Sequence, residues 1–259
     1  MCMIAKVKEQ YPDFLFLSEA FTRPKVMAEL AKVGFTQSYT YYTWRNNKYE
    51  LTEYLTELSQ TELKEFFKPN FWPNTPDIHT YLLQSGNENL FIMRYVLAAT
   101  LSSNVGIYGP VFEQMIHEAI IGKEEYLNSE KYEVQHHDWT KTNKLKSIIT
   151  EVNRIRRENA ALQETNNIEF CSIENDQILA FFKMDREKKN KILVAVNMDP
   201  YSTQSGWVQV PLHQLGITEG TRFKARDLVV DVSYTWDKEW NYVELGNNGL
   251  SFHIFKLDI

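Results

Sequence analysis

The sequence predicts an α/β protein in which half of a (β/α)8 TIM barrel is followed by an antiparallel β-sandwich. The first observation is a succession of four strand-and-helix units within about 160 residues, which is the repeating pattern of a parallel barrel. The second is a change beyond Asn159 to short alternating segments separated by Asn, Asp, Gly and Pro turns, which is typical of an antiparallel sandwich. We therefore expect two domains in the 259-residue chain, residues 1–163 and residues 164–259.

Composition and charge exclude several classes of protein. The net charge of -6, with no basic stripe, argues against a nucleic-acid partner. The first twenty residues contain no apolar stretch long enough for a signal peptide, and no segment reaches transmembrane length, so we expect no membrane partner. Cys2 and Cys171 are far apart and lack CxxC spacing, which argues against a disulfide framework or a zinc site. We expect no cofactor and a cytoplasmic location.

The first predicted strand is the apolar run Phe14–Leu17, which lies between Pro12-Asp13 and a helical pattern. A short apolar run of this kind indicates a buried parallel strand. Glu19 then lies at the carboxyl end of the strand, which is the catalytic face in α/β barrels. From spacing alone, a solvated glutamate in the first turn of the next helix is an equally good interpretation.

The other elements of the first half follow in order. An amphipathic helix is expected over residues 1–11. Gly34 is expected to end the next helix, Val26–Val33. The remaining strands are predicted at Phe35–Thr43, Glu65–Phe71 and Val105–Tyr108, and the helices at Val26–Val33, Leu51–Ser59, Phe91–Leu101 and Leu145–Asn159. Four such units are half of an eight-unit barrel, so we expect two sheet edges without a neighbouring strand.

The second half is predicted to contain only β-structure. Its strands are expected at Glu169–Ile173, Gln177–Met184, Lys191–Asn197, Gly206–Val210, Thr221–Asp227 and Ser251–Leu257. The composition changes near Gln163–Asn167 without a long linker, which places the domain boundary there.

Two carboxylates are predicted to converge at the mouth of the barrel. The segment Trp72–Asp77 follows the third strand, and its two prolines end regular structure and place Asp77 in a loop on the same face as Glu19. Acetal chemistry on a sugar needs one protonated acid for the leaving oxygen and one ionised carboxylate facing the developing positive charge. Aromatic rings suited to sugars surround these strands, although packing in a barrel core explains at least half of them equally well. They are Phe21, Tyr39, Tyr41, Tyr42, Trp44, Phe71 and Trp72.

Other kinds of site lack support in the sequence. It contains no glycine-rich phosphate loop, no HExxH and no GxSxG, which argues against a nucleotide-binding protein, a zinc peptidase and a serine hydrolase. His136 and His137 form a histidine pair in a long loop. We interpret them as solvated side chains, because residues adjacent in sequence do not face the same way on a helix.

Several long segments, in the right order, resemble one family of enzymes. Leu17–Lys25, Gly34–Tyr41, Asn70–Asp77 and Tyr126–Glu133 closely resemble the α-1,4-glucan:maltose-1-phosphate maltosyltransferases of glycoside hydrolase family 13. The resemblance extends over almost the whole chain, including Val152–Asn159 and Val196–Pro200.

This resemblance implies a retaining, two-step transfer of maltosyl units from α-maltose 1-phosphate to the nonreducing ends of α-1,4-glucans, with release of phosphate. It implies that Glu19 is the general acid/base and that Asp77 stabilises the oxocarbenium-like transition state. Lys131 and Tyr132 match the pair that contacts the maltosyl unit of the donor, although a solvated lysine beside a packing tyrosine is the alternative. Pro76 matches these transferases as well, since most of family 13 has His at that position.

One expected group has no counterpart in the sequence. The nucleophilic aspartate of the family ends the fourth barrel strand, and the resemblance aligns this chain with barrel units five to eight and the following β-domain. We therefore expect the chain alone to be inactive. The full-length enzymes are expected to form homodimers through other domains. Three alternatives stay open: an amylase-like hydrolase, a trehalose synthase, and a noncatalytic glucan-binding module.

Overall fold

The computed structural model describes residues 3–246 and 249–259, which form a parallel sheet flanked by helices and two antiparallel sheets. The helices are α1 (Met3–Gln10), α2 (Pro24–Lys32), α3 (Lys48–Gln60), α4 (Leu63–Phe66), α5 (Glu88–Leu101), α6 (Lys144–Glu158) and α7 (Leu212–Leu215), with 3-10 turns at Tyr41–Trp44, Leu83–Ser85 and Ala160–Gln163. The strands are β1 (Leu17–Ser18), β2 (Gln37–Tyr39), β3 (Pro69–Phe71), β4 (Asn104–Val105), β5 (Ile168–Phe170), β6 (Ile178–Met184), β7 (Lys191–Asn197), β8 (Gln204–Gln209), β9 (Phe223–Asp227), β10 (Val232–Trp236), β11 (Trp240–Leu245) and β12 (Phe252–Asp258).

Strands β1 to β4 pair in parallel and in sequence order, as the strand-and-helix pattern predicts. Within the described residues, β1 and β4 each have a neighbour on one side only. The sheet is therefore open at both edges, as expected for four units of a barrel.

The first strand is shorter and more exposed than the sequence predicted. It comprises only Leu17–Ser18, and the side chains of Phe14, Leu15 and Leu17 are 53%, 61% and 51% exposed. The prediction of a buried strand from Phe14 onward was therefore wrong. The physical reason is position, since β1 lies at the edge of the sheet and no described strand covers that side.

The second predicted strand also ends early, because Tyr41–Trp44 form a 3-10 turn. The buried guanidinium of Arg94 on α5 lies 4.0 Å from the centre of the Tyr42 ring. It donates hydrogen bonds of 2.6 Å to the carbonyls of Tyr42 and Arg45. These carbonyls are thus paired by a side chain instead of a neighbouring strand.

The third and fourth strands are shortened for similar reasons. The segment Glu65–Phe71 was predicted as one strand, but its first part belongs to the short helix α4, where the Phe67 amide donates to the Leu63 carbonyl at 2.8 Å. Strand β4 ends at Val105, and the amide of Tyr108 donates to Asn74 Oδ1 at 3.0 Å instead of joining the sheet.

Among its described residues, the second half contains the six predicted strands, two strands that were not predicted and the short helix α7, so it is not purely β-structure as expected. A six-stranded antiparallel sheet has the order β10-β9-β12-β7-β6-β5, and β8 pairs with β11 in a second sheet. The sequence analysis missed β10 and β11. The residues of β10 alternate apolar and polar, and Tyr234 and Trp236 both contact the Phe255 ring, so the sequence carried a strand signal that the analysis overlooked.

The central strands of the six-stranded sheet, β6 and β7, are buried on both faces, which explains their nearly continuous apolar runs. On β6, Leu179 and Phe181 belong to the core that includes α5 and α6, whereas Ala180 and Phe182 pack into a second core with β8 and β11. The apolar core is thus continuous from the barrel helices into this sheet. Helix α5 is buried on all sides from Leu90 to Leu101, yet none of the helices in the described ranges is long and apolar enough to cross a membrane.

Candidate active site

The candidate site lies where the parallel strands end. Glu19 directly follows β1, Tyr39 is the last residue of β2, and the segment Trp72–Asp77 follows β3. Parallel pairing brings these carboxyl ends to one edge of the sheet. The topology therefore positions the side chains that the sequence selected.

Glu19 is exposed at this edge, and its carboxyl group is coupled to two neighbours. Partial burial raises its pKa above the usual value, and the negative charge of Asp77 raises it further. Burial, followed by the charge of Glu19, raises the pKa of the Tyr39 hydroxyl. Glu19 is thus coupled to Asp77 on one side and to Tyr39 on the other, and the shift of its own pKa favours its protonated form.

Asp77 and Lys131 are brought together from distant parts of the chain. The Nζ of Lys131 lies 2.6 Å from Oδ1 of Asp77, and the hydrogen bond to Asp77 raises the pKa of the lysine. Both side chains remain partly exposed, at 33% for Lys131 and 56% for Asp77. Tyr132 is 76% exposed, with its ring centre 5.6 Å from Lys131 Nζ. The structure thus gathers Asp77, Lys131 and Tyr132, and links Glu19 to them through the charge of Asp77.

Four aromatic rings form a wall beside Glu19. Tyr39 lies 5.9 Å from Phe21 and 4.9 Å from Trp72, measured between ring centres. Phe21 lies 5.1 Å from Trp44, whose Nε1 donates to Glu124 at 3.0 Å. Rings held in this way offer flat apolar surfaces for a sugar.

The other predicted aromatic side chains have a packing role. Tyr42 and Phe71 are fully buried and stack with ring centres 4.5 Å apart.

Gly106 lies against the aromatic wall, since a Cβ on it would come within 2.2 Å of the Trp72 ring. Any larger residue at position 106 would push Trp72 out of place.

A polar network that the sequence analysis missed lies behind Lys131. Tyr108 donates a hydrogen bond to Glu130, whose other oxygen lies 2.7 Å from His137 Nε2. These residues line a cavity of about 270 Å³ with Tyr126. The interpretation of His137 as a solvated side chain was therefore wrong, because its side chain is only 10% exposed. His136 is exposed.

Metal ligands are not grouped at this site. Among the residues that the structure describes, no group of three or more His, Cys, Asp or Glu side chains could hold a metal ion. Cys171 is a free thiol, and Cys2 lies outside the described residues.

Comparison with solved structures defines the fold class first. The structure of the α-amylase from Geobacillus thermoleovorans in complex with acarbose aligns with a TM-score of 0.72 and 16% identity, over 99% of this chain and 56% of that chain. The maltogenic α-amylase AmyB from Thermotoga neapolitana aligns with a TM-score of 0.68 and 12% identity, over 98% and 57%. The chain therefore has part of an α-amylase-type fold.

Sequence comparison is more specific. Residues 170–257 match the family model described as GLGE, C-terminal. The α-1,4-glucan:maltose-1-phosphate maltosyltransferase of Chlorobaculum tepidum is 50% identical over 99% of this chain, which spans 39% of that protein, and the enzyme of Methylacidiphilum infernorum is 46% identical over 98% and 38%. By sequence the chain is similar to these maltosyltransferases along nearly its whole length, and it spans about two fifths of theirs.

Proposed function

We propose that this chain supplies the acid/base part of the active site of an α-1,4-glucan:maltose-1-phosphate maltosyltransferase. In this proposal residues 1–163 are barrel units five to eight, and residues 164–259 are the following β-domain. The substrates are α-maltose 1-phosphate and an α-1,4-glucan, which gains two glucose units at its nonreducing end. This reaction belongs to cytoplasmic α-glucan synthesis.

The observation that carries the proposal is the position of Asp77 between two partners. Its charge raises the pKa of Glu19, and its Oδ1 lies 2.6 Å from Lys131 Nζ. A transferase acting on a sugar phosphate needs a proton donor, a fixed anion and a cation within one cleft. Glu19, Asp77 and Lys131 are of these three types.

Glu19 acts in both steps of the proposed mechanism. As an acid it protonates the bridging oxygen while the bond from the anomeric carbon to phosphate breaks and its electron pair leaves with phosphate. The anomeric carbon meanwhile becomes bonded to the nucleophile of the complete site. As a base Glu19 then removes the proton from the acceptor 4-hydroxyl as that oxygen attacks the anomeric carbon and the bond from this carbon to the nucleophile breaks. The raised pKa favours the protonated form that the first step needs.

Asp77, Lys131 and Tyr132 hold the donor. The ionised Asp77 accepts hydrogen bonds from sugar hydroxyls and opposes the positive charge that develops on the ring. Lys131 donates to the same sugar and fixes the direction of the Asp77 carboxylate. Tyr132 presents an exposed ring to the maltosyl unit.

A retaining transfer also needs a nucleophile, and none of the residues of this chain is assigned that role. The proposed activity therefore belongs to the complete active site, in which further residues supply the nucleophile and most contacts to phosphate. We propose that the complete enzyme is a homodimer.

The direct test is complementation. The chain is mixed with the separately expressed remaining part of the Chlorobaculum tepidum relative, and phosphate release from α-maltose 1-phosphate is measured with and without maltohexaose. We expect phosphate release only from the mixture and only with acceptor, because neither part alone has both the acid/base Glu19 and the nucleophile. Release of reducing sugar without acceptor would favour a hydrolase. Maltohexaose binding without turnover would favour a noncatalytic module.

A further inference from the structure

Two loops at the candidate site are tied together at more than one point. The first is Trp72–Asp77, which follows β3, and the second is Tyr126–Asp138, called here the strap. The ion pair of Asp77 with Lys131 is one connection. Asn74 and Tyr108 provide a second connection behind it.

Asn74 anchors this second connection from a fully buried position. Its Nδ2 donates to the Tyr126 hydroxyl at 2.7 Å, and its Oδ1 accepts from the Tyr108 amide at 3.0 Å. The Tyr126 ring is itself buried and stacks on His79 with ring centres 4.2 Å apart. The loop that carries Asp77 is therefore fastened to the start of the strap and to the segment after β4.

Glu130 forms a third connection, between the strap and Tyr108. Its carboxylate accepts from the Tyr108 hydroxyl and lies 2.7 Å from His137 Nε2, so it joins the middle of the strap to its end. The strap is also folded on itself, since the Tyr132 and Glu133 amides donate to the Ser129 carbonyl at 2.9 and 3.1 Å. Glu130 precedes Lys131 directly, so fixing its carboxylate fixes the backbone from which Lys131 extends.

We propose that Glu130, held by Tyr108 and His137, is a positioning residue that keeps Lys131 directed at Asp77 before the donor binds. A free lysine side chain has many rotamers, and ordering it costs entropy at the moment of binding. A backbone fixed beforehand reduces that cost, which strengthens donor binding without altering the chemical step. The inference rests on the proposed function, because it assigns Lys131 and Asp77 to the donor site.

The first test uses this chain alone and does not depend on catalysis. Lysine ε-ammonium groups are observed by 15N NMR, with Lys131 assigned from the Lys131→Ala spectrum, and amide exchange is measured across residues 126–138. We expect Tyr108→Phe and Glu130→Ala to broaden or shift the Lys131 signal and to speed exchange in the strap about 10-fold, because each removes a hydrogen bond to a charged group. Glu130→Gln should preserve most of both, since its amide can accept from Tyr108 and donate to a neutral His137.

Glu133→Ala is the matched control, because it removes an exposed glutamate three positions along the same strap. Unchanged Lys131 signals and strap exchange in both Tyr108→Phe and Glu130→Ala would overturn the inference.

The second test separates positioning from a general structural role. In the complemented enzyme, Glu130→Ala is expected to raise the donor KM about 10-fold with kcat within about twofold, and Glu130→Gln to restore KM. A loss of about 10-fold in kcat at unchanged KM would contradict a positioning role. If the wild-type mixture releases no phosphate, the proposed function fails. The NMR and exchange measurements still decide whether Glu130 keeps Lys131 directed at Asp77.

Discussion

At the scale of the residue, the protonation of Glu19 depends on burial and on one neighbouring charge. Partial burial is the larger cause of its raised pKa, and the charge of Asp77 raises that pKa further. Two carboxylates near each other resist simultaneous ionisation, so one is protonated more readily than an isolated acid. In the proposed mechanism that proton is the one given to the leaving phosphate.

The contribution of Asp77 to this pKa is measurable in the chain itself. In Asp77→Asn the negative charge is gone and burial remains, so the pKa of Glu19 is expected to fall while staying above the usual value. A 13C NMR titration of labelled glutamate carboxyl groups, with Glu19 assigned from the Glu19→Gln spectrum, measures the shift. Asp231→Asn, in the exposed turn between β9 and β10, is the control and should leave Glu19 unchanged. An unaltered Glu19 titration in Asp77→Asn would show that the two carboxylates do not interact.

Glu19 and Asp77 could be selected from the sequence because their placement depends on topology. Each follows a parallel strand, and the carboxyl ends of such strands meet at one edge whatever the details of packing. The partners of Glu130 could not be selected in this way. Tyr108, Asn74 and His137 meet through the path of long loops, which no apolar periodicity specifies.

At the scale of the element, Lys183 on β6 joins the six-stranded sheet to the barrel helices. Its ammonium group is fully buried and donates to the carbonyl of Thr100 on α5 at 3.2 Å and to the carbonyl of Glu164. Burial, with a smaller effect from the charge of Arg156, lowers its pKa to about 7. Lys183 therefore titrates near neutrality in the native state.

This pKa predicts how stability depends on pH. Above about 7, unfolded Lys183 still binds a proton that the native state has released, so the free energy of unfolding contributed by this residue rises with pH up to the unfolded pKa. Lys183→Met removes the effect. The free energy of unfolding, measured in urea from pH 6 to 9, should therefore rise in wild type relative to Lys183→Met by up to about 1.4 kcal/mol per pH unit above 7.

Lys224→Met is the control, since Lys224 is an exposed lysine on β9 and its replacement should preserve the pH slope of wild type. Parallel curves for wild type and Lys183→Met would mean that Lys183 keeps its ordinary affinity for protons in the native state.

The elements of the β-domain also show which strands a sequence reveals. Strands β6 and β7 are buried on both faces and read as continuous apolar runs, so they were predicted nearly to the residue. Strand β10 pairs with β9 through its backbone while nearly all of its side chains stay exposed. Its residues Val-Ser-Tyr-Thr-Trp nevertheless alternate and favour strands, so β10 could have been predicted from the sequence.

At the scale of the whole molecule, an open parallel sheet and a β-domain share one apolar core. Helices α5 and α6 pack on one side against the six-stranded sheet, and the barrel strands end at the candidate site. The β-domain thereby supports the helices behind the site, although none of its residues is assigned to the chemistry. We infer that its role in the proposed enzyme is to support helices α5 and α6.

The open edge of the sheet is the other feature of the whole molecule. Among the described strands, β1 has a neighbour on one side only, and apolar side chains next to it are exposed. An edge of this kind can pair with a further strand. Complementation by the remaining part of a relative would use this edge, which is why the functional assay is made on the mixture.

The most direct test of Glu19 as the acid compares two leaving groups in the complemented enzyme. Phosphate needs a proton as it leaves, whereas fluoride leaves from α-maltosyl fluoride with little acid assistance. We expect Glu19→Gln to lose most phosphate release from α-maltose 1-phosphate, yet to release about one equivalent of fluoride in a burst, because the first step proceeds and the base for the second is missing. Wild-type phosphate release by Glu19→Gln would contradict the assignment of Glu19 and, with it, the proposed arrangement of the site.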